Sequence, residues 1–181
     1  IGDALDKEFD SWEEKWTFWS KLINEYSLQY EKSENMKALE KLLEDKEYFI
    51  ATSTFAHFFE NAGFNENRIF DAFGDWTKMQ CSSGINHGQK DNREVVKQFL
   101  QGKGELPKCE DCGSPMELHM PLNAHFFPDT DANTRFRWFL TGNEEKNVVV
   151  LELGVDATSP QLLDPMVNLV QQFSNWHYIA A

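Results

Sequence analysis

The sequence lacks the features of membrane proteins and of secreted proteins held together by disulfides. No apolar run approaches the length of a membrane span, and the acidic N-terminus contains no apolar signal-peptide segment. Cysteine is scarce, with three residues in 181, and two of the three stand in a C-x-x-C pair. Because this arrangement is not a disulfide framework, we expect a reducing, cytoplasmic setting.

Positive charge is scarce as well. The 17 lysines and arginines are outnumbered by 30 acidic residues, which gives a formal net charge of -13. Because such a surface repels phosphate backbones and anionic lipids, we expect neither nucleic acid nor a membrane as a partner. The acidic excess is interpreted as a solvated exterior. The chain starts at Ile1 rather than at a methionine, which indicates a processed chain or part of a longer one.

Hydrophobic periodicity predicts a long N-terminal helix with an aromatic stripe. A ligand cradle or packing against a sheet would explain such a stripe, and packing is favoured because aromatic side chains dominate protein cores. The stripe recurs at steps of three and four residues and consists of Phe9, Trp12, Trp16, Trp19, Ile23, Tyr26 and Tyr30.

Strand and helix patterns alternate along the rest of the chain. The segments YFIATST (48–54), NVVVLELG (147–154) and WHYIA (176–180) are typical of strands, and the second is apolar enough to be buried on both faces. Helices are expected near 36–43, 93–101 and 161–173. This order predicts an α/β fold in which a parallel sheet is covered by helices, with a small irregular lobe inserted.

The C-x-x-C pair, Cys109 and Cys112, has the spacing of half a zinc site. Zinc requires four ligands in a tetrahedron, usually from two such turns. Upstream, the segment CSSGINH offers Cys81 as a third thiolate and His87 as a fourth ligand within loop reach. Two alternatives stay open: a structural zinc ion bound by these four side chains, or a lobe that holds together without metal.

Several segments follow one another in an order that matches a known family. They are SWEEKWTFWSKLI, YFIATSTFAHFFENAGFNENRIFDAFGDWTKMQC, KDN, CEDCGSPMEL and VVVLELGVDATSP. Together they resemble the sirtuins, specifically the bacterial macrodomain-linked branch, from about Asp10 to the C-terminal end.

The resemblance implies NAD as a cofactor, with zinc as a second one. It implies a partial Rossmann-like core, formed by residues 1–80 and 123–181 and including the aromatic helix, and a zinc-ribbon-like lobe at 81–122. The branch is associated with ADP-ribosyl transfer to a lipoylated carrier protein, so a protein partner or carrier protein is expected. The residues that it places beside the cofactor are Thr52, Ser53, His57, Gly154, Val155 and Ser159. For the last three, a tight turn after a buried strand is the alternative.

The chain departs from the family pattern where the chemistry is done. The glycine-rich turn that holds the NAD pyrophosphate is missing. Thr54 and Ala56 replace an asparagine and an aspartate that reach the nicotinamide and its ribose. Phe73 stands where the family has its general base, a histidine or glutamine, so no catalytic residue is assigned. Ile85 replaces the fourth metal cysteine, and Asp156 replaces a glycine near the adenosine.

Two functions remain open. The first is a degenerate sirtuin-like protein with weak or no catalysis, acting as an interaction module or as a sensor of NAD or ADP-ribose. It follows because loss of one base or electrostatic contact typically costs about a hundredfold in rate. The second is an active NAD-dependent ADP-ribosyltransferase or deacylase whose nucleotide-binding turn lies outside this sequence.

Overall fold

The computed structural model describes residues 2–121, 125–154 and 159–181. Among these residues, no helix combines the length and apolarity that crossing a bilayer would need. A π-helical turn, Asn24–Leu28, extends the second helix, and a 3-10 turn, Glu66–Arg68, precedes the second strand. The helices are α1 (Gly2–Leu5), α2 (Trp12–Ile23), α3 (Glu34–Leu43), α4 (Phe58–Asn61), α5 (Arg93–Leu100), α6 (Thr130–Thr141) and α7 (Pro160–Gln172). The strands are β1 (Ile50–Thr52), β2 (Ile69–Asp71), β3 (Asp75–Cys81), β4 (Gln89–Asp91), β5 (Met116–His119), β6 (Val148–Glu152) and β7 (Trp176–Ala180).

Two parallel strand pairs form the α/β part of the molecule. Strand β1 pairs with β2, with Ile50 opposite Ile69, and β6 pairs with β7, with Val148 opposite Trp176. Helix α6 packs on β2, and α7 packs on β7. The predicted fold class, parallel sheet flanked by helices, is therefore confirmed, although the sheet is divided into two pairs.

An apolar groove separates the two pairs and contains a cavity of about 150 Å³. One wall includes Ala51 of β1 and Phe49, which directly precedes β1, and the other is formed by β6 with side chains of α6 and α7. Lys146 Nζ lies 2.9 Å from Glu47 Oε2, and these residues stand two and three positions before β6 and β1. The two strands therefore start at the same end of the groove.

Strand β6 is less buried than its sequence indicates. The prediction of burial on both faces is wrong, since Val149 is 56% exposed and Leu151 is 37% exposed. The physical reason is that β6 pairs only with β7 within the described residues, and nothing described there covers this face. An apolar strand is thus left with one face and one edge open.

The aromatic stripe of α2 packs inward. Trp16 and Trp19 are 2% and 1% exposed. Trp16 Nε1 donates a hydrogen bond to the carbonyl of Met116 in β5 at 3.1 Å, and the Trp19 ring lies edge-on to Trp76 of β3. The interpretation of the stripe as core packing is confirmed. The sheet that it covers is antiparallel.

That antiparallel sheet has the strand order β4-β3-β5, and it holds the cysteine-bearing region. The sequence indicated irregular structure from residue 81 to 122 with one helix near 93–101, and only the helix, α5, was foreseen. Strand β3 begins at Asp75, upstream of the boundary expected at residue 81. The division into a core and a lobe at residues 81 and 122 stays a prediction.

Gly74 makes the turn from β2 into β3 feasible. Its φ is +86°, a left-handed conformation that side chains rarely adopt, and a Cβ atom there would lie 2.2 Å from the carbonyl oxygen of His119. The turn brings the end of β2, at Asp71, close to the start of β3, at Asp75. This reversal positions the buried charged residues of the candidate site.

Candidate functional site

The four side chains predicted as metal ligands lie together. Cys81 ends β3, and His87 stands in the loop to β4. Cys109 and Cys112 occupy a tight turn that closes when the backbone N–H of Gly113 donates to the carbonyl of Cys109 at 2.8 Å. The turn places both thiols close to Cys81, and the three sulfur atoms lie within 4.8 Å of one another.

The geometry of this group fits zinc. Cys81 Sγ lies 3.5 Å from Cys112 Sγ, Cys109 Sγ lies 3.3 Å from His87 Nδ1, and all four ligand atoms lie within 4.8 Å of one another. A tetrahedral zinc ion with ordinary bond lengths places such atoms about 3.5–3.8 Å apart. Hydrogen bonds from the side chain and backbone of Ser114 lower the pKa of Cys112 to about 6, which favours the thiolate that zinc binds.

The position of the missing fourth cysteine plays no part in this group. Ile85 is 59% exposed, whereas His87 is half-buried and reaches Cys109. The structure thus agrees with His87 as the fourth ligand. Binding of zinc itself stays a prediction.

A second cluster surrounds His57. This residue immediately precedes α4 with a φ of 59°, and among the described residues it is the one non-glycine in the left-handed region. Its Nδ1 atom lies 2.8 Å from Asp75 Oδ2 and 3.7 Å from Glu60 Oε2. His57, expected to contact a cofactor, is therefore hydrogen-bonded inside the protein.

Burial and charge act in opposite directions on this pair. Burial lowers the pKa of His57, but the hydrogen bond and charge of Asp75 outweigh it, so the pKa is raised overall. Burial raises the pKa of Asp75, but His57, Lys78 and Thr77 outweigh it, so that pKa is lowered overall. Both shifts favour the charged pair, His57 as a cation and Asp75 as an anion.

A third carboxyl lies beside this pair. Burial and the nearby carboxylates of Glu60 and Asp75 raise the pKa of Asp71 to about 9. Lys78 Nζ lies 3.6 Å from Asp75 Oδ2 at the more exposed side of the cluster. At neutral pH, Asp71 is therefore protonated, because the cluster holds more carboxyl groups than one histidine and one lysine neutralise.

The remaining predicted cofactor residues stand at the carboxyl ends of parallel strands. Thr52 ends β1, is buried and accepts a hydrogen bond from the Thr54 backbone at 3.0 Å, and Ser53 follows it. Gly154 follows β6 with a φ of +62°, and Ser159 directly precedes α7. Val155 and Asp156 lie outside the described residues. In open α/β sheets ligands bind at these strand ends, so the placement is compatible with the prediction, which remains untested.

At two positions where the resemblance implies polar residues, the side chains are apolar and lie within the fold. Ala56 is 2% exposed and belongs to the main hydrophobic core, where its carbonyl accepts a hydrogen bond from Ser27 Oγ at 2.6 Å. Phe73 is half-buried in the turn before Gly74. Neither side chain can accept a proton.

Sequence reasoning missed Glu60 and Asp71. His57 and Glu60 are three residues apart on one helical turn, a spacing that places both side chains on one face. His119 is hydrogen-bonded at both ring nitrogens: its Nδ1 accepts from the Asp75 backbone at 3.3 Å and its Nε2 donates to the carbonyl of Phe127 at 2.7 Å. Burial lowers the pKa of His119.

Comparisons with known proteins agree with this architecture. No protein-family model matches the chain. A Staphylococcus aureus protein described as a protein ADP-ribosyltransferase is 25% identical over 186 residues, covering 94% of this chain and 58% of its own length. A Sir2 homologue in complex with NAD matches with a TM-score of 0.59 and 16% identity, over 93% of this chain and 59% of that one. Sir2Tm bound to a propionylated peptide matches with a TM-score of 0.59 and 17% identity, over 93% of this chain and 65% of that one.

The chain therefore has the sirtuin fold, and the resemblance predicted from its sequence is confirmed. It is a sirtuin-like protein with a Rossmann-like α/β architecture. It spans a little under two thirds of the length of these relatives.

Proposed function

We propose that this chain is a degenerate sirtuin-like domain with weak or no turnover of NAD, which acts as an interaction module or as a sensor of NAD or ADP-ribose. The observation that carries the proposal is the apolar character of Ala56 and Phe73. Where the family resemblance implies a ribose contact and a general base, this chain has a core methyl group and a phenyl ring. Neither can stabilise a developing positive charge or remove a proton.

Among the described residues, those around Ala56 and Phe73 offer no ready substitute for the general base. His57 is the nearest titratable side chain in sequence to Ala56, and its Nδ1 is held by Asp75 at 2.8 Å. A general base must accept a proton from the substrate. Although burial lowers the pKa of His57, Asp75 raises it overall and so favours the imidazolium, which has no free nitrogen to accept a proton. The cluster is therefore interpreted as part of the interior rather than as a replacement base.

The open apolar surface of β6 supports a role in protein contact. Val149, Leu151 and Leu153 are between 37% and 56% exposed, next to a strand edge that has no partner within the described residues. Such an edge can take up an additional strand from another polypeptide segment. The partner proposed is a protein or carrier protein, in the cytoplasm, where the three thiols would stay reduced.

Nicotinamide release tests the loss of turnover. The purified chain, at high concentration, is incubated with NAD and an acylated peptide, and free nicotinamide is quantified by chromatography against an active sirtuin. We expect at most trace release. Repeated turnover by this chain would overturn the proposal.

Calorimetry separates the two module roles. Titration with ADP-ribose, with AMP as the matched control, reports binding without chemistry. Heat specific to ADP-ribose would support sensing, whereas its absence would leave protein contact as the role. A variant Thr52→Val, which removes the hydroxyl at the end of β1, should weaken ADP-ribose binding if the predicted cofactor residues are correct.

An active ADP-ribosyltransferase is the second candidate. The observation that favours it is the 25% identical relative, itself described as a protein ADP-ribosyltransferase. The relative contains residues that this chain lacks, so a phosphate-binding turn could come from outside the sequence. Multiple turnovers of nicotinamide release after adding such a segment would support this candidate against the first.

A further inference from the structure

We propose that His57, Glu60 and Asp75 form a binding site for a divalent metal ion, separate from the cysteine group. His57 directly precedes α4, Glu60 lies in α4 and Asp75 starts β3, and the backbone N–H of Trp76 donates to the carbonyl of Phe55 at 3.0 Å, which joins the two segments. One potential ligand atom of each lies within 4.8 Å of the other two. The inference goes beyond the proposed function, because it requires neither NAD nor a protein partner.

The ligand spacing matches coordination by nitrogen and oxygen. His57 Nδ1 lies 2.8 Å from Asp75 Oδ2 and 3.7 Å from Glu60 Oε2. An octahedral ion, the geometry that manganese(II) prefers, with bonds of about 2.1 Å places neighbouring ligand atoms about 3.0 Å apart. Loss of the proton from His57 Nδ1 and shifts of up to about 0.7 Å would therefore convert the present contacts into part of a coordination shell.

Asp75 is already oriented for this role. Its Oδ1 atom accepts hydrogen bonds from the backbone N–H and the hydroxyl of Thr77, at 2.8 and 2.7 Å. These bonds leave Oδ2 facing His57. Metal-binding carboxylates are commonly fixed by such outer hydrogen bonds, which hold one oxygen so that the other can coordinate.

Glu60 supplies an independent observation that points to a ligand. Its side chain is only 6% exposed and hydrogen-bonds to Asp71, but within the described residues its Oε2 atom has no hydrogen-bond partner. A buried polar atom without a partner costs free energy, so native proteins rarely leave one. This oxygen points toward His57 Nδ1, and a cation between them would satisfy it.

The ammonium group of Lys78 competes with a metal ion for Asp75 Oδ2. Its Nζ atom lies 3.6 Å from Asp75 Oδ2, the oxygen that would bind the metal, and its side chain is 36% exposed. The ammonium group can therefore move toward solvent when an ion enters. With three protein ligands, at least one coordination position would stay open for water or another small ligand.

The donor set separates this site from the cysteine group. One imidazole and two carboxylates suit manganese(II), whereas three thiolates and an imidazole favour zinc. Manganese(II) is therefore the probe, added to the zinc-loaded chain and followed by electron paramagnetic resonance and calorimetry. We expect one manganese ion per chain.

Two substitutions move the affinity in opposite directions. Glu60→Gln keeps the shape of the side chain but removes its charge, and should weaken manganese binding about tenfold or more. Lys78→Gln removes the competing cation and should strengthen binding severalfold. Glu66→Gln, at an exposed site in the neighbouring 3-10 turn, should leave it unchanged.

The outcomes decide the proposal. Weaker binding in Glu60→Gln together with tighter binding in Lys78→Gln supports the site, and the second variant remains informative if the first folds poorly. Failure of both the wild type and Lys78→Gln to bind manganese at millimolar concentration overturns it. Binding that Glu60→Gln leaves intact also overturns it, since the ion would then lie elsewhere.

Discussion

Replacing Asp71 with asparagine should stabilise the protein at neutral pH. Burial and the charges of Glu60 and Asp75 raise the pKa of the Asp71 carboxyl to about 9, from its ordinary value of 3.8. Between those two pH values the folded protein holds a proton that the unfolded chain releases. Stability therefore falls as pH rises through this range. An asparagine is neutral in both states and removes this dependence.

The size of the effect follows from the shift. Each pH unit above the unfolded pKa costs about 1.4 kcal/mol, so keeping Asp71 protonated at pH 7 costs roughly 4 kcal/mol as an upper bound. Part of this cost belongs to the interaction with Glu60, since the two carboxyls influence each other. We expect Asp71→Asn to raise the free energy of unfolding by about 2–4 kcal/mol at pH 7 and by close to zero near pH 4.

Urea denaturation at the two pH values, followed by tryptophan fluorescence, measures this difference. The buried Trp19 and Trp76 report on the same core. Asp164→Asn, at an exposed position in α7, is the matched control and should change stability by less than about 0.5 kcal/mol at either pH. If Asp71→Asn instead destabilised the protein more at pH 7 than near pH 4, Asp71 would be ionised and paired with Lys78, and the reasoning would fail.

Three further predictions concern the turn, the ion pair and the zinc group. Gly74→Ala should destabilise the protein by several kcal/mol in denaturation experiments, because its methyl group would meet a backbone oxygen at 2.2 Å. Gly88→Ala, with a similar φ and nothing within 4 Å, should cost only about 1 kcal/mol. Equal losses of stability in the two variants would contradict the clash. The raised pKa of His57 gives stability that is lost as pH rises above about 6.5, and the lowered pKa of Asp75 gives stability that is lost as pH falls below about 4. His57→Gln should therefore cost more at pH 5.5 than at pH 9 in thermal melts, and a cost independent of pH would refute the charged pair. Cys112→Ser should reduce zinc per chain, measured by mass spectrometry, and lower the melting temperature; a wild type that contains no zinc after refolding with it would refute the site.

Local patterns in the sequence were sufficient to predict the features that depend on neighbouring residues or on a restricted chemistry. The stripe through Trp16 and Trp19 predicts its own helix and its buried face, because amphipathic spacing and side-chain size act within one element. The grouping of Cys81 with His87, Cys109 and Cys112 was foreseen because zinc chemistry limits which residues can meet.

Features that depend on partners distant in sequence were not predictable in this way. The polar strand β4 gives no apolar alternation, so the antiparallel sheet was read as irregular. Asp71 lies near Asp75 because the turn at Gly74 reverses the chain between them, and Glu60 lies near both because α4 stands beside the start of β3. Hydrophobic periodicity encodes neither arrangement. The exposure of Val149 could not be inferred either, since an apolar strand predicts burial whether or not the covering element is present.

Under the proposed function, two losses separate this chain from an active sirtuin, and they differ in kind. A phosphate-binding turn is a separate segment, and one supplied from outside the sequence could lie against the open edges of β1 and β6. Phe73 and Ala56 are internal to the described fold, and no added segment changes their side chains. An enzyme assembled from this chain would therefore still need a proton acceptor from another residue, and His57 could serve, through Nε2, only in its neutral form. Because a neutral His57 leaves the buried Asp75 carboxylate without its imidazolium partner, catalysis through His57 would weaken the ion pair that stabilises the fold.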